Sequence, residues 1–316
     1  MKKVLALILA LVMSLSLVAC GGSSAKLRFV TGGESGTYYA FGSVIAQHAT
    51  NNAGINVVGL VGNGSQANIE ELQAGNADLA FCQSDVMAYA YEGTNIFDAK
   101  VDCFSTVAAL YTEQVQIVTV DPSIKTVADL KGKNVSIGAA GSGVFFNAVD
   151  ILGAYGLDVE KDINPTYQSF GDSADALKDG KIDAAFIVAG APTTAITDLA
   201  TTKAVSLVSL DDEHIDKLLA SSPYYTKCTI PADVYGLDAD TTTVGVGAVI
   251  LARDDVSEDA IYALCADIFD NAADLVSSHA KYGELSLEYA ASITSVPYHA
   301  GAVKYFAEHN MTVAGK

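Results

Sequence analysis

The sequence has few basic residues. Lysine and arginine together number 18, against 37 aspartate and glutamate residues, so the formal net charge is −19. A protein that binds nucleic acid or docks electrostatically on anionic lipid needs a basic surface, so this balance argues against both kinds of partner. It does not exclude a small anionic ligand, because salt screens the field of distant charges and a local site dominates.

Cysteine and histidine are also scarce. Besides Cys20, the chain has Cys82, Cys103, Cys228 and Cys265, at spacings that match no metal or redox motif. A Cys82–Cys103 disulfide stays open as an alternative, but free thiols are favoured. The five histidines are scattered, with no His-Glu-x-x-His helix, and no Gly-x-Ser-x-Gly elbow occurs. We therefore expect no metal, no cofactor and no enzyme activity; a lipid-anchored hydrolase is the least favoured alternative.

The one long hydrophobic run lies near the N-terminus. Residues 4–17 follow two lysines and are too few for a confident membrane span. The run ends in Leu17-Val18-Ala19-Cys20, which resembles the lipobox of a bacterial lipoprotein, where the cysteine becomes the lipidated N-terminus. We predict a signal peptide over 1–19, a tether over 20–26, and a protein exported and lipid-anchored to the outer face of the cell membrane.

A pattern of strand, glycine-serine turn and helix occurs twice in the chain. The first copy contains Ser35-Gly36-Thr37-Tyr38-Tyr39, and the second contains Ser-Gly followed by Val and two phenylalanines at 142–146. Downstream, the segments 72–81 and 177–186 also match, each with a glycine and an aspartate before an apolar strand. Two similar units of strand and helix indicate two α/β lobes with a cleft between them.

The rest of the chain alternates strand and helix, which is typical of parallel sheets covered by helices. Strands are predicted at 27–31, 55–60, 78–82, 107–110, 114–120, 135–137, 184–188, 205–210 and 244–252. Helices are predicted at 37–50, 66–74, 144–155, 173–177, 191–199, 212–221 and 258–278. The segment 241–249 is expected to cross back to the first lobe. Lobe 1 would then comprise 27–114 and 245–316, and lobe 2 would comprise 115–244.

The repeated turns are candidate ligand sites. The first backbone N–H groups of a helix have no intrahelical partners, and with the helix dipole they favour a carboxylate or phosphate. A third such turn precedes the helix near Ser65, and strand ends near Gln83 and Gly190 face the same way in an open α/β sheet. Because few basic residues lie in these loops, backbone amides and hydroxyls are expected to hold a small anion.

Several motifs in order resemble the TAXI family of solute receptors for tripartite ATP-independent periplasmic (TRAP) transporters. They are Thr-Gly-Gly at 31–33 with Gly-Thr-Tyr-Tyr at 36–39, Leu-Tyr-Thr-Glu at 110–113, Asp-Leu-Lys-Gly-Lys at 129–133, and Asp-Gly-Lys-Ile-Asp-Ala-Ala-Phe at 179–186. The closing Pro-Tyr-His-Ala-Gly-Ala at 297–302 resembles the family's His-Pro-Gly-Ala end, with Ala300 in place of proline, so His299 is expected to be structural.

The resemblance implies a periplasmic-binding-protein fold with two hinge-crossing strands (type II-like). It implies a monomeric receptor that delivers a small carboxylate, glutamate-like or a related organic acid, to a TRAP permease. The alternative is a receptor for an ATP-driven (ABC) importer of sulfonates, nitrate or thiamine precursors. The candidate ligand-binding residues are Thr31, Gly32, Ser35, Gly36, Thr37, Tyr38, Tyr39, Gly64, Ser65, Gln83, Asp85, Tyr111, Ser142, Gly143, Val144, Gly190 and Pro192.

Overall fold

The computed structural model describes residues 26–316; the predicted signal peptide and Cys20 lie outside them. Within this range the strands are β1 (Lys26–Val30), β2 (Asn56–Leu60), β3 (Leu79–Gln83), β4 (Phe104–Thr119), β5 (Asn134–Ser136), β6 (Asn164–Thr166), β7 (Ala184–Ala189), β8 (Ser206–Leu207), β9 (Thr226–Ile230) and β10 (Thr241–Arg253). They form one sheet in the order β2-β1-β3-β10-β4-β7-β5-β6, with β8 beside β4 and β9 beside β10.

Helices cover both faces of this sheet. They are α1 (Thr37–Asn52), α2 (Ser65–Gln73), α3 (Ser84–Glu92), α4 (Val144–Ala154), α5 (Phe170–Lys178), α6 (Thr194–Ala200), α7 (Asp212–Ser221), α8 (Glu258–Asp270), α9 (Ala272–Leu275), α10 (Leu287–Ala290) and α11 (Ala300–Glu308). Three short 3-10 turns lie at Val127–Leu130, Ala232–Val234 and Ala280–Glu284. In the described part of the chain, no helix is long and apolar enough to cross a membrane.

Two long strands connect the lobes, as the sequence predicts. Residues 245–253 of β10 pair with residues 104–114 of β4, while β10 starts beside β9 and β4 ends beside β7. Both strands therefore run from one lobe into the other. The predicted segments 107–110 and 114–120 are one continuous strand, β4. The expected parallel pairing holds for β1 with β2 and β3 and for β5 with β6 and β7, whereas the crossing strands pair antiparallel with their neighbours.

Each lobe has its own buried core. In lobe 1, α1 and α11 pack on the sheet through Phe41, Phe81 and Phe306, all fully buried. In lobe 2, Ile117 and Phe186 belong to a cluster that α4 covers, and Val118 and Ile187 belong to another that α6 covers. The predicted boundaries between lobes, at 114/115 and 244/245, fall inside β4 and β10 and stay a prediction.

The sequence repeat has a structural counterpart at the start of each lobe. Gly75 and Gly180 end α2 and α5 with φ near +70°, the left-handed conformation that glycine adopts without strain. The aspartates that follow bind the first strand of their lobe: Asp78 accepts from Arg28 N at 2.8 Å, and Asp183 accepts from Asn134 N at 2.8 Å. In both lobes the repeated segment thus ends a helix with a left-handed glycine and binds the first strand through an aspartate.

The remaining expectations concern single residues and one helix. The predicted helix 258–278 is wrong in length: α8 ends at Asp270, and a short α9 follows. The four cysteines of the described region are free, including Cys82 and Cys103. His299 is structural, as expected: its Nδ1 accepts from Gly301 N at 3.2 Å at the start of α11, and its Nε2 lies 3.0 Å from the Val256 carbonyl.

Candidate functional site: the interlobe cleft

Three helices begin at one cavity between the lobes. α1 starts after Gly36, α2 after Gly64 and α4 after Gly143. The cavity has a volume of about 480 Å³, in the usual range for a small-molecule site. Its walls are formed by Gly32, Gly33, Glu34, Ser35, Gly36, Thr37, Tyr38, Val61, Gly62, Asn63, Gly64, Ser65, Gln83, Glu113, Ala139, Ser142, Gly143, Val144, Ser169, Phe170, Gly171, Asp172, Asp175, Val188 and Ala189.

The starts of these helices lack side-chain caps. In the residues described, the N-cap positions of α1, α2 and α4 are all glycine and make no side-chain cap. Of the other helices, α3, α6 and α9 also lack such a cap, whereas α5, whose start also lines the cavity, and α7, α8, α10 and α11 are capped by Ser169, Asp211, Ser257, Ser286 and His299. Uncapped N–H groups and the positive ends of helix dipoles therefore concentrate at the cavity.

Hydrogen bonds join the two lobes across the cleft. Thr37 Oγ1 donates to the Gly190 carbonyl at 2.7 Å, and Lys281 Nζ donates to the Ala191 carbonyl at 3.0 Å. Ala67 N donates to the Gly141 carbonyl at 3.0 Å, which brings the turn before α2 against the turn before α4. The structure is therefore the closed arrangement of the lobes.

A buried chain of polar side chains runs behind the cavity and also crosses between lobes. Asn147 of α4 donates from Nδ2 to Asp85 Oδ2 and to the Tyr225 hydroxyl, both at 2.9 Å. Gln83 donates from Nε2 to Asn147 Oδ1 at 3.1 Å and to Glu113 Oε2 at 3.4 Å. Each amide group uses its two N–H bonds here, so the orientation of both amides is fixed by Asp85.

Burial perturbs the two carboxyl groups of this polar chain. Glu113 lies on β4 with 2% of its surface exposed, and burial raises its pKa to about 8, while the nearby Tyr38 hydroxyl and the Gln83 amide oppose the shift. Asp85 is fully buried, and burial raises its pKa to about 6 against the opposing hydrogen bonds from Val86 N and Asn147. Glu113 is therefore mostly neutral in the empty cleft at pH 7.

Eleven of the predicted ligand-binding residues line the cavity: Gly32, Ser35, Gly36, Thr37, Tyr38, Gly64, Ser65, Gln83, Ser142, Gly143 and Val144. Six do not: Thr31, Tyr39, Asp85, Tyr111, Gly190 and Pro192. Thr31 is buried with its hydroxyl bound to the Leu60 carbonyl, and the Tyr111 ring lies beneath Lys281 Nζ at 5.2 Å. Asp85 and Gly190 act on the site indirectly, through Asn147 and Thr37. That any of these residues binds ligand stays a prediction.

Two parts of the cavity were missed at the sequence level. One is Glu113, an acid that shares its side of the strand with the buried Tyr111 and Val115, which is the pattern that should have marked it. The other is the turn at 169–172 before α5, where Phe170 meets the first turn of lobe 1: a Cβ on Gly36 would lie 3.3 Å from its ring. The strand before that turn, β6, has only three residues, one of which is a proline, so it is too short to be recognised from the sequence.

Two α/β lobes that enclose a cleft and are joined by two strands define the fold class of the two-lobed periplasmic solute-binding proteins. The chain belongs to the NMT1-like family, whose sequence profile matches residues 29–309. Membership of the TAXI group is not shown by this match.

Solved structures resemble the chain over most of its length. The alkanesulfonate-binding protein SsuA from Xanthomonas axonopodis pv. citri bound to MOPS is 16% identical, with 92% of this chain and 93% of that one covered and a TM-score of 0.50. The GluR0 ligand-binding core in complex with L-glutamate is 10% identical (84% and 99% covered, TM-score 0.50), and a periplasmic transporter is 14% identical (82% and 87% covered, TM-score 0.53). At these identities the likeness confirms the predicted fold.

Proposed function

We propose that the protein is an extracytoplasmic solute-binding receptor, which closes its two lobes on a small polar solute and delivers it to a membrane importer. The observation that carries this proposal is the convergence of three uncapped helix starts, from both lobes, on one cavity of ligand size. A solute that contacts both lobes stabilises the closed form, because only differential affinity shifts an equilibrium between two conformations.

The solute class supported by the helix starts is a small carboxylate. N–H groups in the first turns of α1 and α4, with the adjacent hydroxyls of Ser35 and Ser142, suit a carboxylate oxygen, and each charge-assisted bond contributes about 1.5–3 kcal/mol. No metal cluster or cofactor is part of this proposal. Among residues 26–316, no group of three or more histidine, cysteine, aspartate or glutamate side chains is arranged to hold a metal ion.

Two types of importer fit such a receptor. The family match and the likeness to an alkanesulfonate-binding protein favour an ATP-driven importer, the alternative at the sequence level. The second candidate is a TRAP permease, favoured by the ordered TAXI-like motifs, of which the 179–186 segment forms the turn after α5 and the start of β7. Uptake of the bound solute by host membrane vesicles separates them: ATP drives the first, and an ion gradient drives the second.

The receptor function is tested by binding without turnover. We expect mass spectrometry of the purified protein to identify a retained small solute, which also raises the thermal unfolding temperature of stripped protein. At a concentration one hundred times its Kd, such a ligand adds about 2.7 kcal/mol to the free energy of unfolding. Chemical conversion of the solute by the protein would contradict the proposal and favour the hydrolase.

The lipid anchor is a separate proposal that rests on Leu17-Val18-Ala19-Cys20. Acyl chains on Cys20 would hold the protein at the outer face of the membrane, since each buried methylene contributes about 0.8 kcal/mol and two or more chains give durable attachment. We expect Cys20→Ala to move the protein from the membrane to the soluble fraction of its host, with Cys228→Ala as the matched control. A Cys20→Ala protein that stays on salt-washed membranes contradicts the anchor.

A further inference from the structure

Four buried polar atoms at the cavity have no hydrogen-bond partner in the described part of the protein. They are Glu113 Oε1, Gln83 Oε1, Ser142 Oγ and the Tyr38 hydroxyl. Their residues line the cavity, and Glu113, Gln83 and Ser142 are 2%, 2% and 7% exposed. Unpaired buried polar groups are unfavourable and uncommon in native proteins, so such a cluster at a cavity points to a group supplied by the ligand.

Gln83 Oε1 is a hydrogen-bond acceptor, and Glu113 Oε1 is an acceptor when its carboxyl is ionised. Asp85 needs donors, so Asn147 turns its amide N–H groups toward Asp85 and presents its oxygen to Gln83. Gln83 therefore turns its own N–H groups toward Asn147 and Glu113, which leaves Gln83 Oε1 as the free atom. The missing partner of Gln83 is thus a donor, and an ionised Glu113 needs one as well.

The charges around the cavity have one sign. Its walls carry Glu34, Glu113, Asp172 and Asp175, and among the lining residues there is no lysine, arginine or histidine. The nearest buried cation, Lys281, is 2% exposed and already engaged by Glu284 and the Ala191 carbonyl. A ligand of net negative charge would meet only like charges among the side chains of this cavity.

We propose that the cleft recognises a solute carrying a protonated primary amine, which Glu113 and Gln83 bind with the hydroxyl of Ser142, and that the net charge of this solute is zero or positive. This inference rests on the proposed receptor function and names its ligand more narrowly. Glutamate carries an amine but has a net negative charge, and an alkanesulfonate without an amine lacks the donor. Neither meets both requirements.

An ammonium group matches the site in chemistry and in charge. It has three N–H donors, and the site offers the oxygens of Gln83 and ionised Glu113 with the hydroxyls of Ser142 and Tyr38. A buried carboxylate is costly unless it is paired, and the empty site avoids that cost because the raised pKa keeps Glu113 protonated at pH 7. On binding an ammonium, Glu113 would ionise, and its proton would be released to solvent.

Other titratable groups face Glu113 from every element packed against it. They are Tyr38 of α1, Cys82 of β3, Asp85 of α3, Lys281 of the 3-10 turn and Tyr289 of α10; Tyr111 lies on β4 itself. Burial raises the pKa values of Tyr38 and Tyr111 well above their ordinary range, so neither releases a proton near pH 7. Asp85 accepts a hydrogen bond from Asn147, which in turn accepts one from Gln83, so Asp85 faces Asn147 rather than the cavity.

Calorimetric titration with a matched set of five-carbon probes tests the proposal. The probes are norvaline, 5-aminopentanoate, ornithine, 1,5-diaminopentane, pentanoate, pentanedioate and pentane-1-sulfonate, together with the solute retained on purification. We expect every binder to carry an amine, and removal of that amine to weaken binding roughly a hundredfold, as expected for loss of a buried charged hydrogen bond. Titration at pH 7 in buffers of different ionisation enthalpy should detect about one proton released per amine bound.

Glu113→Gln should weaken binding of the amine probes by a similar factor and abolish proton release. Glu160→Gln, the same change at an exposed loop position, is the matched control and should alter neither. Tight binding of pentanedioate or pentane-1-sulfonate, or amine binding unaffected by Glu113→Gln, would overturn the amine proposal while leaving the receptor function intact. Absence of any retained solute and of binding by every probe would count against both.

Discussion

Without ligand, the original protein should lose stability as the pH rises from about 5 to 8, and the Glu113→Gln variant should not. The pKa of Glu113 is raised from 4.5 to about 8 by burial. Its stabilising contribution is therefore complete below pH 4.5 and is lost as the pH rises to about 8. With about 1.4 kcal/mol per pKa unit, the full loss is on the order of 5 kcal/mol. Glutamine does not ionise, so the variant does not undergo this loss of stability.

Equilibrium urea unfolding of both proteins at pH 5, 7 and 9 measures this difference. We expect the free energy of unfolding of the variant, relative to the original protein, to increase at each step up to about pH 8 and then to level off. Asp85, whose pKa is raised to about 6, is present in both proteins, and its negative charge adds to the rise in the pKa of Glu113. Parallel pH profiles for the two proteins would mean that the Glu113 carboxyl is hydrated in solution.

Gly143→Ala should block closure of the lobes and weaken ligand binding about ten- to hundredfold. A Cβ at this position would lie 1.8 Å from Gln83 Oε1 and 2.5 Å from its Cδ. Gln83 cannot move aside without losing its bonds to Asn147 and Glu113. Overpacking of this kind costs about 1–3 kcal/mol, and because the contact exists only between closed lobes, the cost appears in the binding free energy.

Gly153→Ala is the control for this variant. Gly153 lies in the same helix, α4, and nothing approaches its added Cβ within 4 Å. We expect unchanged affinity and slightly greater stability, because alanine favours the helix by up to about 1 kcal/mol over glycine. Titration of the retained solute against both variants decides the matter; equal affinities would show that the two lobes do not close as described.

Sequence patterns predict the parts of this molecule that local chemistry determines. The glycine-serine turns, the left-handed Gly75 and Gly180, and the aspartates after them each satisfy a requirement of neighbouring residues, so short segments suffice to recognise them. The two crossing strands follow from the same logic, since the chain must return to lobe 1 to complete its core.

The parts that were missed depend on contacts between distant residues. α3 begins directly after β3, and the turn between them looks like a loop until Asp85 meets Asn147 of the other lobe. Tyr111 and Glu113 stand in one motif, two residues apart and hence on the same side of a strand in the simplest geometry. Their register against β10 is regular, but Lys281 Nζ lies 5.2 Å from the centre of the Tyr111 ring, and of the two residues only Glu113 lines the cavity.

The polar chain through Asn147 links recognition of the solute to the position of the second lobe. When the lobes separate, Gln83 loses its partner on α4, and its amide is free to present either its oxygen or its N–H groups to the cleft. An open receptor would therefore accept different small solutes at similar association rates. Only closure of the lobes fixes Gln83 Oε1 as the acceptor in the cleft. A solute that carries the required amine should therefore differ from one without it in residence time, measured as the dissociation rate.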